Sequence, residues 1–352
     1  MAVNGSQLDE DTLKMLSNNM IKSTLPVIYL IVAVISLPGN GFSFFLLCRT
    51  KPKTPSIIFM INLTITDLVL AVFLPFQSAY HWSGNNWTFG ADLCNVVTVL
   101  FYANMYCSIL TMTCISLERY MGVVLPMSCT RWRTKKYALV TCFVMWILVL
   151  MVLLPLEKTD LTYKVHKLNI TTCFDILKKD MLPSKAAWAA FLFTLFGILF
   201  LIPFCTTVFC YIRIIAKLIK TSASHSNKQK RRAVCLALIV LLVFITCFAP
   251  NNFILLIHMI NRIFFEKGIY SAYKITLTLS CLNSCLDPFI YYFASKEFRK
   301  KLRMCLGMKN ISSQGSLSEF RRESILSMRS KFADHFELSE IQSPLHITNG
   351  SA

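Results

Sequence analysis

The chain has 352 residues, of which 55% are hydrophobic and 15% charged, with a mean hydropathy of +0.55 and a formal net charge of +18. Soluble domains carry about a quarter charged residues, so this composition excludes an ordinary water-soluble globule and points to an integral membrane protein. The charge is uneven and gathers beside hydrophobic runs, which fits the positive-inside rule better than nucleic-acid binding.

Residues 1–24 are polar and slightly acidic, and they lack the apolar core and cleavage site of a signal peptide. The first apolar span is therefore expected to act as its own insertion signal. Asn4-Gly5-Ser6 is a glycosylation sequon, as are Asn86-Trp87-Thr88 and Asn169-Ile170-Thr171. Seven apolar segments follow, at about residues 25–48, 56–80, 91–123, 137–156, 184–218, 232–260 and 270–294. Their lengths fit membrane-spanning helices. Lysine and arginine crowd the loops after spans one, three and five and the stretch after span seven, whereas residues 1–24 hold Lys14 and Lys22 against Asp9, Glu10 and Asp11. The expected topology has the N-terminus outside and the C-terminus in the cytoplasm.

The third span organises the chain. Between Cys94 and Glu118 it has no ionisable group other than tyrosines and cysteines. As a helix, Cys94 to Arg119 covers about 38 Å, against a hydrocarbon core of about 30 Å. Cys94 then faces an oxidising compartment and Arg119 a reducing one. Most of the 14 cysteines lie inside apolar runs, where a cysteine is a small packed hydrophobe. Cys94 and Cys173, the latter in the long outer loop 157–183, are the pair placed for a disulfide, which would pin that loop over the bundle.

Asp67 and Asp287 are carboxylates within apolar spans, at a cost of about 2.5–3.5 kcal/mol each unless partnered. Asn40, Asn104, Ser108 and Asn283 offer oxygens on other spans. The set suits a hard cation, a shared proton or a hydrogen-bonded polar core without an ion. Pro75, Pro155, Pro203, Pro250 and Pro288 fall inside five spans, where each frees a carbonyl and kinks its helix. Phe244 and Phe248 precede Pro250 and read equally as a packing switch or as core aromatics.

In residues 295–306, Phe298, Leu302, Cys305 and Leu306 share one helical face opposite basic residues, the pattern of a helix lying in the membrane interface. Cys305 fits either a palmitoylation site or an unmodified interfacial cysteine. Residues 307–352 read as a disordered cytoplasmic tail, in which Arg321-Arg322-Glu323-Ser324 is a basophilic kinase site or a solvated charge run.

In order, one set per span, stand Gly39-Asn40, Leu63 with Asp67, Cys94 with Glu118-Arg119-Tyr120, Trp146, Pro203 with Tyr211, Cys247-Phe248-Ala249-Pro250 and Asp287-Pro288-Phe289-Ile290-Tyr291. Over residues 25–306 the chain resembles the rhodopsin-like (class A) G protein-coupled receptors. Phe248 in place of the usual tryptophan and Asp287 in place of the usual asparagine resemble the purinoceptor-like branch. FMINLTITDL, CFAPNNFILL and SCLNSCLDPFIYYFASKEF look closest to its purinoceptor-8-type members. That branch's N-terminal cysteine is absent, since no cysteine precedes Cys48, which implies an outer end less tied down than in relatives.

The resemblance implies an all-α membrane protein: an extracellular N-terminus (1–24), a seven-helix bundle (25–294), an interfacial eighth helix (295–306) and a cytoplasmic tail (307–352). It implies a plasma-membrane receptor, not an enzyme, that activates heterotrimeric G proteins of the Rho-activating class, with arrestin and receptor kinases acting on the tail. Glu118, Arg119, Tyr120, Tyr211 and Tyr291 would carry G-protein coupling, Arg119 pairing with Glu118 at rest. Phe244, Phe248, Pro250, Asp287 and Pro288 would form the activation switch. Asp67, Asn104, Ser108, Asn283 and Asp287 would hold an allosteric sodium ion; no other cofactor is implied.

The implied ligand pocket comprises Phe101, Tyr102, Met105, Asn252, Leu255, His258, Arg262, Tyr273, Lys274 and Leu277. Nucleotide-binding relatives place a cation at the position of Leu255. Its loss argues against phosphate recognition, which prefers Arg or Lys. Arg262 and Lys274 suit an anionic head group, and the apolar positions suit a lipid tail, as in a lipid–glutathione-type conjugate. A nucleotide-activated purinoceptor is the alternative. A transporter or channel would need a continuous polar path, and no inverted repeat is evident. An enzyme finds no His-Glu-x-x-His or Gly-x-Ser-x-Gly.

Overall fold

Where no water reaches the backbone, each spanning segment must satisfy its own amides, so long apolar runs become helices. The computed structural model describes residues 10–125, 133–175, 182–222, 228–264, 270–294 and 296–305. Residues 1–299 form one compact unit. The described residues 300–305, the end of a helix, fall in a second unit.

A short helix α1 (Glu10–Ser17) precedes α2 (Asn19–Arg49), α3 (Pro55–Trp82), α4 (Ala91–Val123) and α5 (Lys135–Glu157). An antiparallel hairpin follows, β1 (Thr162–Val165) and β2 (Ile170–Cys173), with Thr162 opposite Cys173 and Val165 opposite Ile170. Next come α6 (Lys185–Phe193), a π-helical stretch (Thr194–Leu201), α7 (Ile202–Ser222), α8 (Lys228–Phe264), α9 (Tyr270–Ala294) and α10 (Lys296–Cys305). The seven expected spans correspond to α2, α3, α4, α5, α6 through α7, α8 and α9. Six of these are long and apolar enough by length and composition to cross a membrane. The other, α9, carries Lys274, Asn283 and Asp287 in its 25 residues, which is the polarity of a helix turned inward.

Some helix starts are fixed by side chains. Thr54 caps α3 by accepting from Ile57 N at 3.4 Å, with Pro55 at the first helical position. Ser184 caps α6 by accepting from Ala187 N at 3.1 Å.

The third expected span, α4, is the centre of the bundle. It packs against α3, α5, α7 and α8, and most of its residues from Val97 to Ser116 are buried. Large apolar side chains such as Phe143, Phe193, Leu242 and Phe289 instead point away from the protein, an exposure that water does not favour and lipid does. Helices α2 and α9 approach closely: a Cβ on Gly39 would meet Pro288 Cγ at 3.3 Å.

Two features add to the expected course of the chain. Within the polar N-terminal segment α1 buries Leu16 completely, in one apolar cluster with Ile21, Tyr29, Leu70, Phe101, Tyr273 and Leu277. Asn85 Nδ2 donates to the Leu16 carbonyl at 3.0 Å. This end is therefore held by helix packing although the N-terminal cysteine is missing. The long loop after α5 also contains a β-hairpin. Val165 sits in the same buried cluster, and Trp87 N donates to the Thr171 carbonyl at 2.7 Å.

Candidate functional site

At one end of the bundle Cys94, at the start of α4, is bonded to Cys173, at the end of β2, with Cα atoms 5.8 Å apart. The expected disulfide is thus present. The bridge fixes the chain that follows it. Phe174 has a φ of 62°, a left-handed conformation that costs a bulky residue about 1–3 kcal/mol. Its N–H donates to the Leu161 carbonyl at 3.0 Å, and its ring packs edge-on against Tyr102 with centroids 5.4 Å apart. The next residue, Asp175, is wholly buried. It forms an ion pair with Lys274 of α9 and accepts a hydrogen bond from Tyr80 of α3 at 2.5 Å.

Several of the expected pocket residues touch one another. Tyr102 and Tyr273 touch through their hydroxyls, and Tyr273 stacks on His258 with centroids 5.4 Å apart. Phe101 and Leu277 belong to the apolar cluster that also holds Leu16, with Leu255 packed against it. Met105 Sδ accepts from Asn251 Nδ2 at 3.0 Å, and Asn252 Nδ2 donates to the Phe248 carbonyl at 2.9 Å. Lys274, expected as a head-group cation, is enclosed. The residue is 6% exposed and already paired, because Asp175 supplies the counter-charge that a buried ammonium requires. The Arg262 side chain lies outside the described residues.

Midway along the bundle the Asp67 carboxyl of α3 and the Asp287 carboxyl of α9 are both wholly buried. Asn104 Nδ2 lies 3.4 Å from Asp67 Oδ1, and Asn283 Nδ2 donates to Asp287 Oδ2 at 2.9 Å. Asp67 Oδ2, Asp287 Oδ1 and Asn283 Oδ1 are buried without a hydrogen-bond partner. Oxygen atoms left in this way are the donor set a hard cation takes, so the residues fit a sodium ion. Ser108 is engaged elsewhere, 3.5 Å from Thr66 Oγ1. Beside this layer Phe248 packs on Phe244 at 5.5 Å, and Phe244 stacks on Phe204 at 5.9 Å.

At the other end, Glu118 is bound by Arg133, through Nη2 at 2.7 Å and Nε at 3.2 Å, and by Ser56 Oγ at 2.5 Å. The expected Glu118–Arg119 pair is therefore not the arrangement found. Arg119 Nε is buried without a hydrogen-bond partner, and the residue lines a cavity with Tyr211 and Tyr291. Tyr120 points aside, its ring 6.0 Å from that of Phe209.

These three layers run along one seven-helix bundle. A family model described as the 7 transmembrane receptor (rhodopsin family) matches residues 39–291. The chain belongs to that family.

This rhodopsin-family receptor is similar to the purinoceptor 8 of Gallus gallus, 62% identical over 330 residues that cover 94% of this chain and 92% of the relative. It is 57% identical to the S-geranylgeranyl-glutathione receptor of Homo sapiens over 93% of this chain and 90% of that protein. It is 40% identical to the proteinase-activated receptor 2 of Rattus norvegicus over 87% of this chain and 77% of that one. The resemblance to the purinoceptor-8 type is thereby established. The relatives are receptors rather than enzymes, and membership makes this a multi-pass plasma-membrane protein that works through G proteins.

Sequence reasoning missed Tyr80, Phe174 and Asp175 of the receptor's disulfide-end site. Tyr80 sits near the end of a span and Asp175 in a loop, with no periodicity to single either out. The proximity of Asp175 to Cys173 was the one available signal. Of the sequons, Asn169 is exposed at the hairpin turn, and Asn86 is partly buried with its Oδ1 accepting from Thr171 N at 2.9 Å. Asn4 lies outside the described residues. Cys305 is exposed on α10.

Proposed function

We propose that this receptor binds an anionic amphipathic molecule at the disulfide end of the bundle, which faces the cell exterior with the N-terminus. Binding drives activation of the Rho-activating class of heterotrimeric G protein at the Arg119 end. The observation that carries this reading is the buried Lys274 ammonium on α9, the helix whose Tyr273 touches Tyr102 and whose Leu277 shares an apolar cluster with Phe101. A cation there orients an acidic head, and burial of a hydrocarbon tail contributes about 25 cal/mol per Å² before the costs of association. The relative named as an S-geranylgeranyl-glutathione receptor supports a ligand of that kind: a prenyl tail on an acidic peptide. Arg262 is a second head-group cation in this reading. Sodium between Asp67 and Asp287 favours the resting state. Palmitate on Cys305 anchors α10, glycans occupy exposed sequons such as Asn169, and receptor kinases and arrestin act on the tail.

The test is nucleotide exchange on purified G protein by the full-length receptor in lipid nanodiscs. The probes are S-geranylgeranyl-glutathione, shorter-tailed glutathione conjugates, and ATP and UDP. Potency should rise with tail length, fall about tenfold or more in Lys274→Met, since a lost charged partner costs more than about 1.4 kcal/mol, and fall also in Arg262→Ala. A nucleotide acting at lower concentration than every conjugate overturns the reading.

A further inference from the structure

The apolar part of the disulfide-end site already holds a side chain from outside the seven spans. We propose that Leu16 of α1 is an internal stand-in for the ligand's lipid tail: it fills the tail's subsite in the resting receptor, and an incoming tail displaces it and lifts α1 off the bundle.

Three features meet in α1. First, its burial runs against its composition. The helix carries Glu10, Asp11, Thr12, Lys14 and Ser17, yet Leu16 is completely enclosed. Second, the place of that burial is the expected ligand pocket. The cluster that holds Leu16 also holds Phe101, Tyr273 and Leu277, with Leu13 of α1 and Leu255 of α8 packed against it. Helix α1 itself packs on α9, the helix that carries Tyr273 and Leu277. The space that Leu16 fills is therefore continuous with the space that a hydrocarbon tail needs. Third, α1 is attached so that it can leave as a unit. A single non-helical residue, Asn18, separates it from α2. No cysteine precedes Cys48, so no disulfide holds the segment down. The Ser17 hydroxyl donates back into its own helix, to the Leu13 carbonyl at 2.9 Å.

The rest of the cluster is less free to move. Tyr29, Leu70, Phe101, Tyr273 and Leu277 sit on spanning helices, and Val165 sits on the hairpin that the Cys94–Cys173 bridge pins. A tail that enters the cluster must replace apolar surface already packed there, since interiors are close-packed. The element that yields is the short one. Its clasp is suited to reversal. Asn85 donates to the Leu16 carbonyl at 3.0 Å, and it does so from a turn after α3 where its own φ is 65°, a left-handed conformation that asparagine tolerates. A neutral hydrogen bond of this kind holds weakly in net terms, because water offers the same partners once the helix lifts. Exchange of Leu16 for a tail replaces one buried hydrocarbon by another, so part of the gain from burying the tail is offset. A site that is closed part of the time binds more weakly by that fraction. Loosening α1 should therefore strengthen binding of a tailed ligand.

The proposal rests on the reading of the disulfide end as the site of a tailed anionic ligand, and two readouts on the full-length receptor in nanodiscs separate the two. The first is hydrogen exchange at the backbone amides of residues 14–17, with S-methyl-glutathione or S-geranylgeranyl-glutathione added. The two probes share a head and differ in the tail. Exchange should quicken about tenfold with the geranylgeranyl conjugate, because local opening tracks the contacts that hold a segment, and should keep the ligand-free rate with the methyl conjugate. The second readout is potency of the geranylgeranyl conjugate in G-protein nucleotide exchange. It should improve about tenfold in Leu16→Ala, as removal of a closed state predicts, and stay at the parent value in Leu16→Met. Asn85→Gly keeps the left-handed turn accessible and leaves the Leu16 side chain whole. A gain of about threefold there separates release of α1 from mere creation of space. Protection of residues 14–17 that persists with the geranylgeranyl conjugate overturns the stand-in, as does unchanged or weaker potency in Leu16→Ala, which would make α1 a wall of the site. If the geranylgeranyl conjugate is no more potent than the methyl conjugate on the parent receptor, the tailed-ligand reading itself fails, and the stand-in with it.

Discussion

Glu118 takes two hydrogen bonds from the guanidinium of Arg133, a residue just before α5, and none from its neighbour Arg119. The arrangement leaves Arg119 beside Tyr211 and Tyr291. Removing Arg133 should free Glu118 to capture Arg119. Arg133 is 37% exposed in its side chain, so solvent screening limits the pair to about 1 kcal/mol or less, a shift of at most about fivefold. Arg133→Ala is expected to lower agonist-stimulated nucleotide exchange by up to that factor, and Glu118→Gln in the same chain should restore it. Arg119→Ala should abolish exchange while ligand binding persists. A rise in exchange in Arg133→Ala would contradict this account.

Asp67 and Asp287 leave one oxygen each without a partner, and Asn283 Oδ1 joins them. If sodium takes those oxygens in the resting state, it must oppose agonist binding by the linkage between the two sites, commonly about fivefold or more. Agonist affinity measured in sodium against a bulky organic cation should show that loss in the parent receptor. Asp67→Asn should remove it. Equal sodium responses in parent and variant would reject the site.

Much of this architecture was readable from residue order, and the unreadable parts share a cause. Apolar run length located the seven spans because a bilayer imposes one thickness on every helix. Cys94 and Cys173 were legible because oxidised pairing has a chemical address. Asp67 and Asp287 were legible because a carboxylate in an apolar run needs partners. Asp175 was not, since a loop carboxylate is ordinarily solvated and nothing local says that Lys274 will reach it. Arg133 reads in the sequence only as a topogenic charge, although it also binds Glu118. Leu16 was hidden because α1 is too short and too polar overall to announce a buried face, and its burial depends on Phe101 and Leu277 from distant spans.

Trp146 of α5 donates from Nε1 to Asn62 Oδ1 at 2.9 Å, and Asn62 Nδ2 donates to Thr111 Oγ1 at 2.8 Å. The three residues tie α5, α3 and α4 together. Trp146→Phe keeps most of the ring but leaves Asn62 Oδ1 buried without its donor, at a cost of about 1–3 kcal/mol. The thermal midpoint of the detergent-solubilised receptor should fall measurably. Phe143→Leu, a change on the outward face of the same helix, should leave it nearly unchanged.

The last prediction concerns α1. Leu16 is fully buried, and its carbonyl accepts from Asn85, whose own Oδ1 lies 2.7 Å from His81 Nδ1 at the end of α3. Leu16, with Leu13 packed against the same cluster, and the hydrogen bond from Asn85 thus fasten the N-terminal segment. Truncating a buried leucine to alanine costs about 2–5 kcal/mol in a rigid core, and the lower part of that range applies to a short helix able to shift. Leu16→Ala should therefore detach α1 before it unfolds the bundle: residues 10–17 become open to limited proteolysis while the Trp146-based core keeps its thermal midpoint within a few degrees. Asn85→Ala should loosen the same segment by a smaller amount, since a net hydrogen bond contributes only about 0.5–1.5 kcal/mol. Leu16→Met, which conserves volume, should behave like the parent. Equal protease resistance of α1 in Leu16→Ala and the parent would show that the helix is held by something other than this contact.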